Sequence, residues 1–204
     1  NHYATCTSTT LTQRVLCIRA LLSGYYSGDG NMVPALLNQG EGANPAITDS
    51  VEIELRQNTS PFGLVTSTST VLDTSGFACW SFDTPALTGY YYIVLKNRNS
   101  IETWSASPVY ISSTPAFYNF TYSDSTVYGN NQIEMEPNVW ALYSGDFNQD
   151  ENIDLLDLSL METDINNFEF GYYSTDLNGD GNVDLLDASI IEPYVNSFIF
   201  SNHP

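Results

Sequence analysis

The sequence predicts a mainly β protein in which an antiparallel β-sandwich precedes a small α-helical module. Residues 14–143 contain eight or nine short runs rich in β-branched and aromatic residues, separated by Gly, Pro, Asn, Asp and Ser. No stretch before residue 150 has a clear helical period, whereas residues 144–204 carry two acidic loops that each lead into a helical apolar pattern. We therefore expect three segments: an extended leader at 1–13, the sandwich at 14–143 and the helical domain at 144–204.

The clearest strand covers residues 51–56, VEIELR, in which apolar and charged side chains alternate. Val51, Ile53 and Leu55 share one face, as in a half-buried antiparallel strand. The other predicted strands cover residues 14–22, 32–37, 63–72, 77–82, 89–97, 102–111, 116–123 and 138–143. Short strands spaced about a dozen residues apart favour a sandwich of the immunoglobulin-like or prealbumin-like kind.

Two helices are predicted directly after the acidic loops, at residues 154–166 and 184–198. Apolar residues in each segment recur at helical spacing. Pro193 lies inside the second segment, and we expect it to kink or shorten that helix because proline lacks a backbone N–H.

Charge is distributed very unevenly along the chain. The net charge is −19, and residues 99–204 hold seventeen acidic residues and no Lys or Arg. A surface of this sign disfavours nucleic acid and anionic membranes as partners and favours cations. No apolar run reaches 18 residues, so membrane insertion is not expected either.

Three cysteines, Cys6, Cys17 and Cys79, leave several pairings open. An odd number in a secreted chain leaves one thiol free or bonded to another chain. A Cys17–Cys79 bridge across the sandwich is one alternative, and pairing of Cys6 with either is another. Three buried, unpaired cysteines are the third alternative.

A direct internal repeat carries the clearest chemistry in the chain. The segment DFNQDENIDLLD (146–157) recurs in register as DLNGDGNVDLLD (176–187), thirty residues later. Calcium prefers about six to eight oxygen ligands, several of them carboxylates, and such loops supply them from positions 1, 3, 5, 7, 9 and 12. We therefore predict two Ca²⁺ ions. The predicted ligands are Asp146, Asn148, Asp150, Asn152, Asp154 and Asp157 in the first loop, and Asp176, Asn178, Asp180, Asn182, Asp184 and Asp187 in the second.

Loop positions 6 and 8 carry further expectations. Position 6 needs a positive φ, which Gly181 adopts freely and Glu151 adopts at a cost of about 1 kcal/mol, so the first site should bind more weakly. The aliphatic residues at position 8, Ile153 and Val183, are expected to join the two loops as a short β-pair. Without calcium this module should be largely unfolded, since its apolar area is small.

The paired loops resemble the type I dockerin repeat, in which position 12 is Asp and each loop leads straight into a helix. The resemblance implies a cohesin-like partner, bound through helix residues beside the loops. Those positions hold Leu155, Leu156, Leu185 and Leu186. They form either a docking face or part of the core, and we expect at least half of them to be core residues.

A broader resemblance covers most of the chain. The segments at 90–109, 128–132 and 143–157 are similar to a module of secreted and surface proteins of Bacteroidetes-type bacteria. In that module a β-sandwich precedes a dockerin-like repeat. The resemblance implies a location outside the cell or on its surface, and it implies no catalytic activity.

The sequence gives no sign of an enzyme. Both histidines are terminal, and the motifs HExxH, GxSxG and the P-loop are absent. Glu52, Glu54 and Glu102 are isolated acids that should face solvent, and Arg98 could pair with Glu102.

Aromatic side chains of the predicted strand at 89–97 and its neighbour raise one binding alternative. Tyr90, Tyr91, Tyr92 and Trp104 could form a sugar-stacking platform, although packing in the core is the favoured interpretation.

Two functions therefore compete, with a hydrolase a distant third. The first is a structural subunit of an extracellular fibre or matrix, polymerising when the leader at 1–13 adds a strand to a neighbouring copy. The alternative is a carbohydrate-binding or adhesive module tethered through its dockerin-like part to a cohesin-like protein.

Overall fold

A computed structural model describes residues 13–82 and 87–204 of the 204-residue chain. The predicted leader, and with it Cys6 and the idea of strand donation, lies outside the described residues apart from Gln13. No helix within the described ranges has the length and apolar character needed to cross a membrane.

The β-rich part contains twelve described strands and one short helix. The strands are β1 (Arg14–Arg19), β2 (Tyr26–Gly28), β3 (Asn31–Met32), β4 (Ile47–Gln57), β5 (Leu64–Asp73), β6 (Phe77–Phe82), β7 (Gly89–Asn97), β8 (Ser100–Trp104), β9 (Val109–Ile111), β10 (Ala116–Asn119), β11 (Ile133–Glu136) and β12 (Val139–Ala141). The helical turn α1 (Ala35–Asn38) follows β3. Two single 3₁₀ turns precede β11.

Two main sheets form this part of the chain. The larger sheet has the order β5-β4-β7-β8, with β9 pairing the other end of β7, and all its pairs are antiparallel. The smaller sheet has the order β10-β1-β6, in which β1 is antiparallel to β6 and parallel to β10. The predicted mainly β fold with antiparallel sheets is confirmed, and the β1–β10 pair is its one parallel strand pairing among the named, described strands.

The main core is formed by the inward-facing residues of both sheets. Leu16 and Ile18 of β1, together with Ile53 of β4 and Ile93 of β7, are fully buried in one cluster. Along β1 the buried positions alternate with partly exposed ones, because successive side chains of a strand point to opposite faces. In β7 residues 92–95 are all buried, so the middle of that strand is covered on both faces.

Cys17 and Cys79 form a disulfide within the smaller sheet. They are directly opposite each other on β1 and β6. The Cys17–Cys79 pairing, one of the three alternatives, is therefore confirmed, but its expected place across the sandwich is wrong because both residues belong to the same sheet.

Two strand predictions differ from the structure by more than the positions of the strand ends. The expected strand at 32–37 is wrong: β3 ends at Met32, and α1 begins directly after Pro34, whose fixed φ and missing N–H suit a helix start better than a strand. The expected strand at 102–111 is divided into β8 and β9, with Pro108 in the interruption.

The C-terminal part consists of β13 (Asn152–Ile153), α2 (Leu155–Asn167), α3 (Leu185–Val195) and β14 (Ile199–Phe200). Both predicted helices are present, and the second ends three residues earlier than expected, two residues after Pro193. A second apolar cluster holds the helices together. Its buried members are Ile101, Phe147, Ile153, Met161, Leu177, Ala188, Ile191 and Tyr194.

Candidate calcium loops and the surfaces beside them

The carboxylate at position 12 organises each acidic loop. Asp157 is fully buried and accepts backbone N–H bonds from Phe147, Asn148 and Asp154, at 2.8, 3.3 and 3.0 Å. Asp187 is equally buried and accepts from the same three positions of its own loop, at 2.8, 2.9 and 2.9 Å. The loop backbone thus wraps around one carboxylate in both repeats.

The carboxylate at position 1 closes the other side of each loop. Asp146 accepts from the backbone N–H groups of Asp150 and Glu151, both at 3.2 Å. Asp176 accepts from Asp180 and Gly181 at 3.2 and 2.8 Å. Positions 1 and 12 therefore share the interior of each loop.

The remaining predicted ligands lie nearer the surface. Asn148 and Asp150 are exposed, and the side-chain oxygen of each accepts a backbone N–H two residues later, at 2.9 and 3.0 Å. Asp154 caps α2 by accepting from the backbone N–H of Leu156 at 2.7 Å. Asp184 caps α3 in the same way. Position 9 thus begins the helix, a role that its assignment as a ligand did not anticipate.

The buried carboxylates of each loop have no Lys or Arg of that loop to offset their charge. Burial, with the neighbouring charge of Asp157 adding to it, raises the pKa of Asp146 to about 7. Burial likewise raises the pKa of Asp187 to about 6 and raises the pKa of Asp157 and of Asp176. The donors are all oxygen atoms and residues 99–204 contain no Lys or Arg, so the arrangement fits a hard divalent cation.

Positions 4 and 6 of both loops have left-handed backbone conformations. The prediction for position 6 is confirmed, with φ of 72° at Glu151 and 94° at Gly181. Position 4 was missed: φ is 58° at Gln149 and 70° at Gly179. The first loop thus adopts the same backbone as the second without any glycine at these positions.

The predicted β-pair between the two loops is wrong. Ile153 pairs with Ile199, in the strand that follows α3. In the second loop Asn182 forms a β-bridge with Phe170, in the segment that follows α2. Each loop therefore pairs with the chain that leaves the other repeat's helix, which occupies the backbone groups that a loop-to-loop pair would use.

The four leucines beside the loops form exposed pairs. Leu155, Leu156, Leu185 and Leu186 are 71, 61, 75 and 61% exposed. The expectation that at least half are core residues is wrong, because the buried face of each helix runs instead through residues such as Met161 and Ile191. We call these four residues the leucine surface.

A second exposed apolar set follows the helices and escaped the sequence reasoning. Phe168, Phe170, Phe198 and Phe200 are 86, 75, 84 and 53% exposed. Their signal in the sequence is the recurrence of FEF at 168–170 as FIF at 198–200, again thirty residues apart. The internal repeat thus includes exposed apolar residues as well as acidic ones.

Three acids of the sandwich, Glu54, Glu102 and Asp49, are engaged in ion pairs. Glu54 is only 5% exposed and contacts Arg56 and Lys96, so its predicted solvent-facing position is wrong. Lys96 also binds Glu102 at 2.7 Å. Arg98 pairs with Asp49 at 2.9 Å instead of with Glu102.

The proposed aromatic platform is mostly packed inside the protein. Tyr92 and Trp104 are buried, with ring centroids 5.7 Å apart. Tyr90 is exposed and lies beside exposed Tyr110, with centroids 5.0 Å apart. The favoured interpretation, packing inside the protein, is therefore confirmed for Tyr92 and Trp104.

Comparison with known proteins agrees with this geometry. Residues 144–196 match the family model of the dockerin type I domain. This segment contains both loops, both helices and the leucine surface. No curated protein matches the chain.

Solved structures resemble nearly the whole chain at low sequence identity. One is a chain in the crystal structure of an N-terminal interface mutant of the type II cohesin–X–dockerin complex from Acetivibrio cellulolyticus, with 14% identity, a TM-score of 0.52, and coverage of 93% of this chain and 96% of that chain. Another, from a C-terminal interface mutant of that complex, has 15% identity, a TM-score of 0.50, and coverage of 88% and 94%. The chain therefore combines a β-rich part with a C-terminal segment similar to dockerin type I domains.

Proposed function

We propose that this chain is a non-catalytic extracellular module that docks onto a cohesin-like partner through its leucine surface. The observation that carries the proposal is the exposure of leucine pairs at both junctions between acidic loop and helix, inside the segment that matches the dockerin type I domain. Dockerin domains occur in extracellular cellulosomal proteins, which supports the location. A bacterial origin of the Bacteroidetes type stays a prediction.

The leucine surface has the properties expected of a binding site. Its four side chains are more than half exposed, although each would gain about 1.5–3 kcal/mol from full burial. Exposed apolar patches rimmed by polar residues mark interaction sites, and the start of each helix presents two neighbouring exposed leucines beside an acidic loop. The internal repeat presents one leucine pair at the start of α2 and another at the start of α3, so either pair can offer a similar contact.

Two Ca²⁺ ions would hold this surface in shape. The twelve ligands predicted from the sequence lie in the loops that set the start of each helix, and type I dockerins typically bind calcium. The chemistry that the ion supplies is charge compensation for the buried carboxylates. The chain's own residues do the rest: Asp157 and Asp187 organise the loop backbone, while Asp154 and Asp184 cap the helices.

The fibre subunit, the first of the two competing interpretations, has less support than the tethered module. Strand donation depends on the leader at 1–13, almost all of which lies outside the described residues. It stays a prediction, which electron microscopy of the full chain and of a chain lacking residues 1–13 would test. Polymers that need the leader would revive it.

The sandwich would carry the adhesive or carbohydrate-binding role. Exposed aromatic pairs support such a surface: Tyr90 with Tyr110 on the larger sheet, and Phe77 with Phe117 on the smaller one. Turnover of a polysaccharide or peptide by the purified chain would contradict the non-catalytic assignment.

Capture by immobilised type I and type II cohesin domains tests the docking proposal. We expect calcium-dependent capture that a chelator reverses. Replacing all four leucines of the leucine surface with Asp should abolish capture, while Leu155→Asp/Leu156→Asp or Leu185→Asp/Leu186→Asp alone should weaken it less. Leu64→Asp is the matched control, because Leu64 is a 54% exposed leucine on β5. Unchanged capture by the four-leucine variant, or no capture of the native chain by either cohesin class, would refute the proposal.

A further inference from the structure

The second acidic loop packs directly against the β-rich part of the chain. The side-chain amide of Asn38 donates to the carbonyl of Gly179 at 2.8 Å. The side-chain amide of Gln39 donates to Oδ2 of Asp176 at 2.8 Å, and both residues are buried. Asp176 is position 1 of the loop, so a residue outside the repeat contacts a predicted calcium ligand.

Gln39 is fixed in orientation by Arg98. The guanidinium of Arg98 donates to Oε1 of Gln39 at 2.6 Å. Because a guanidinium only donates, the oxygen of the amide must face it, and the amide nitrogen is left to face Asp176. Arg98 is itself held by Asp49 at 2.9 Å and stacks over the ring of Tyr172 at 4.1 Å. A chain of polar contacts thus runs from Asp49 to the second loop.

Two glycines of the second loop, Gly179 and Gly181, lie close to the β-rich part of the chain. A Cβ at Gly179 would lie 2.9 Å from both the Cβ of Ala35 and a ring carbon of Tyr25. A Cβ at Gly181 would lie 2.6 Å from the carbonyl oxygen of Asn38. The first loop adopts left-handed conformations at the same two positions with Gln and Glu, so φ alone does not demand glycine there. Close packing against α1 does.

The first loop has a different environment. Gln149 and Glu151 are exposed, and the carbonyl of Glu151 accepts the backbone N–H of Ser201 at 2.7 Å. Among the described residues, 13–82 and 87–204, the N–H groups that donate to the carboxylate of Asp146 belong to its own loop. The two loops therefore have similar interiors but different neighbours.

We propose that Gln39 is a positioning residue for the second loop, and that cation binding by this loop is coupled to its packing against the sandwich. Gln39 holds the Asp176 carboxylate in its place, whereas the described hydrogen bonds to the Asp146 carboxylate of the first loop come from that loop itself. The inference rests on the calcium assignment made under Proposed function. Hydrogen bonds from such outer residues typically change metal affinity about 10- to 100-fold when they are removed.

Calcium titration of the full chain by calorimetry, after the metal has been stripped, tests this coupling. Asp150→Ala disables the first loop and Asp180→Ala disables the second, and both residues are exposed. Gln39→Met removes the amide donor at similar volume. In the Asp150→Ala background it should weaken the remaining site about 10-fold, and in the Asp180→Ala background it should leave the remaining site unchanged.

A merely structural role of Gln39 would weaken both sites alike, which would overturn the proposal. Equal affinities with and without Gln39→Met in the Asp150→Ala background would also overturn it, while the calcium assignment would stand. If the native chain bound no calcium, both the assignment and the coupling would fail. Gln57→Met is the control, since Gln57 is an exposed glutamine on β4.

A second variant keeps the test decisive if Gln39→Met does not fold. Gly179→Ala leaves Gln39 in place and forces a methyl group against Ala35 and Tyr25. It should weaken the second site and spare the first. Gln149→Ala, at the same position of the first loop, removes the hydrogen bond from that side chain to the carbonyl of Asp146 and should leave the affinity of the second site within about twofold of its native value. If Gly179→Ala lowered the calcium affinity of the first loop, or left that of the second loop unchanged, the result would contradict the coupling.

Discussion

Removing the cation of Arg98 should be among the most destabilising single changes in this chain. Asp49 is fully buried, and its Oδ2 accepts from Arg98 at 2.9 Å, from Tyr25 at 3.0 Å and from Asn97 at 3.4 Å. Arg98→Met keeps much of the side-chain length but leaves a buried carboxylate with neutral donors only. Breaking a buried ion pair in this way costs about 3–5 kcal/mol. The lost hydrogen bond to the Tyr173 carbonyl acts in the same direction.

Urea unfolding at pH 7 with saturating calcium would measure this loss as a change in the free energy of unfolding. Asp49→Asn removes the charge but keeps a polar group, and it should cost about 1–3 kcal/mol. The double variant should lose less than the sum of the two single variants, because the second change removes the charge that the first left unpaired. Arg56→Met is the contrast: its partner Glu54 keeps Lys96 at 3.2 Å, so the loss should be about 1 kcal/mol. A loss below about 1 kcal/mol for Arg98→Met, or strict additivity with Asp49→Asn, would refute the reasoning.

Three further predictions concern the whole chain. Stripping calcium should remove most of the helical circular dichroism signal and leave the β signal, because the module's apolar cluster is small; identical melting with and without chelator would contradict this. In the metal-free chain, the pKa of Asp146 is raised to about 7 and that of Asp187 to about 6, above the ordinary value of 3.8. Protonation of these two carboxylates therefore stabilises the folded state. That stabilisation is fully present below about pH 4 and is lost as the pH rises through 6 to 7, so the helical signal should increase from pH 8 to pH 5. A decrease in the helical signal over this range would contradict the predicted sign. Replacing Cys17 and Cys79 with Ser should cost about 4 kcal/mol in urea unfolding, since the bridge closes a span of 62 residues; equal midpoints for the two proteins would show that the bridge adds no stability.

Local patterns predicted much of the C-terminal part correctly. The spacing of carboxylates in the two loops fixes where each helix begins, because positions 9 and 12 form a capping box with the first turn. The helix after each loop and the left-handed residue at position 6 follow from the loop alone. Pro193 also shortened its helix as expected, for a reason contained in one residue.

Features that depend on distant neighbours were not predictable in this way. A leucine in the first turn of a helix is apolar whether it faces a core or solvent, so the exposure of Leu155 and Leu185 needed the positions of the surrounding elements. The pairing of Arg98 with Asp49 joins residues 49 positions apart, whereas Glu102 was close in sequence. Gly179 was also ambiguous, because glycine can answer either to a backbone angle or to a close neighbour.

The β-pairs of the acidic repeats are crossed: the loop of each repeat takes its backbone partner from the segment that follows the other repeat's helix. Ile153 finds its backbone partner at Ile199, beyond the second helix, and Asn182 finds its partner at Phe170, beyond the first. A chain with one copy of the unit would leave the edge of its loop open until a second molecule supplied the missing strand. Because both copies lie in a single polypeptide, the strands are exchanged within one molecule and not between two molecules. The formation of these β-pairs therefore does not depend on protein concentration.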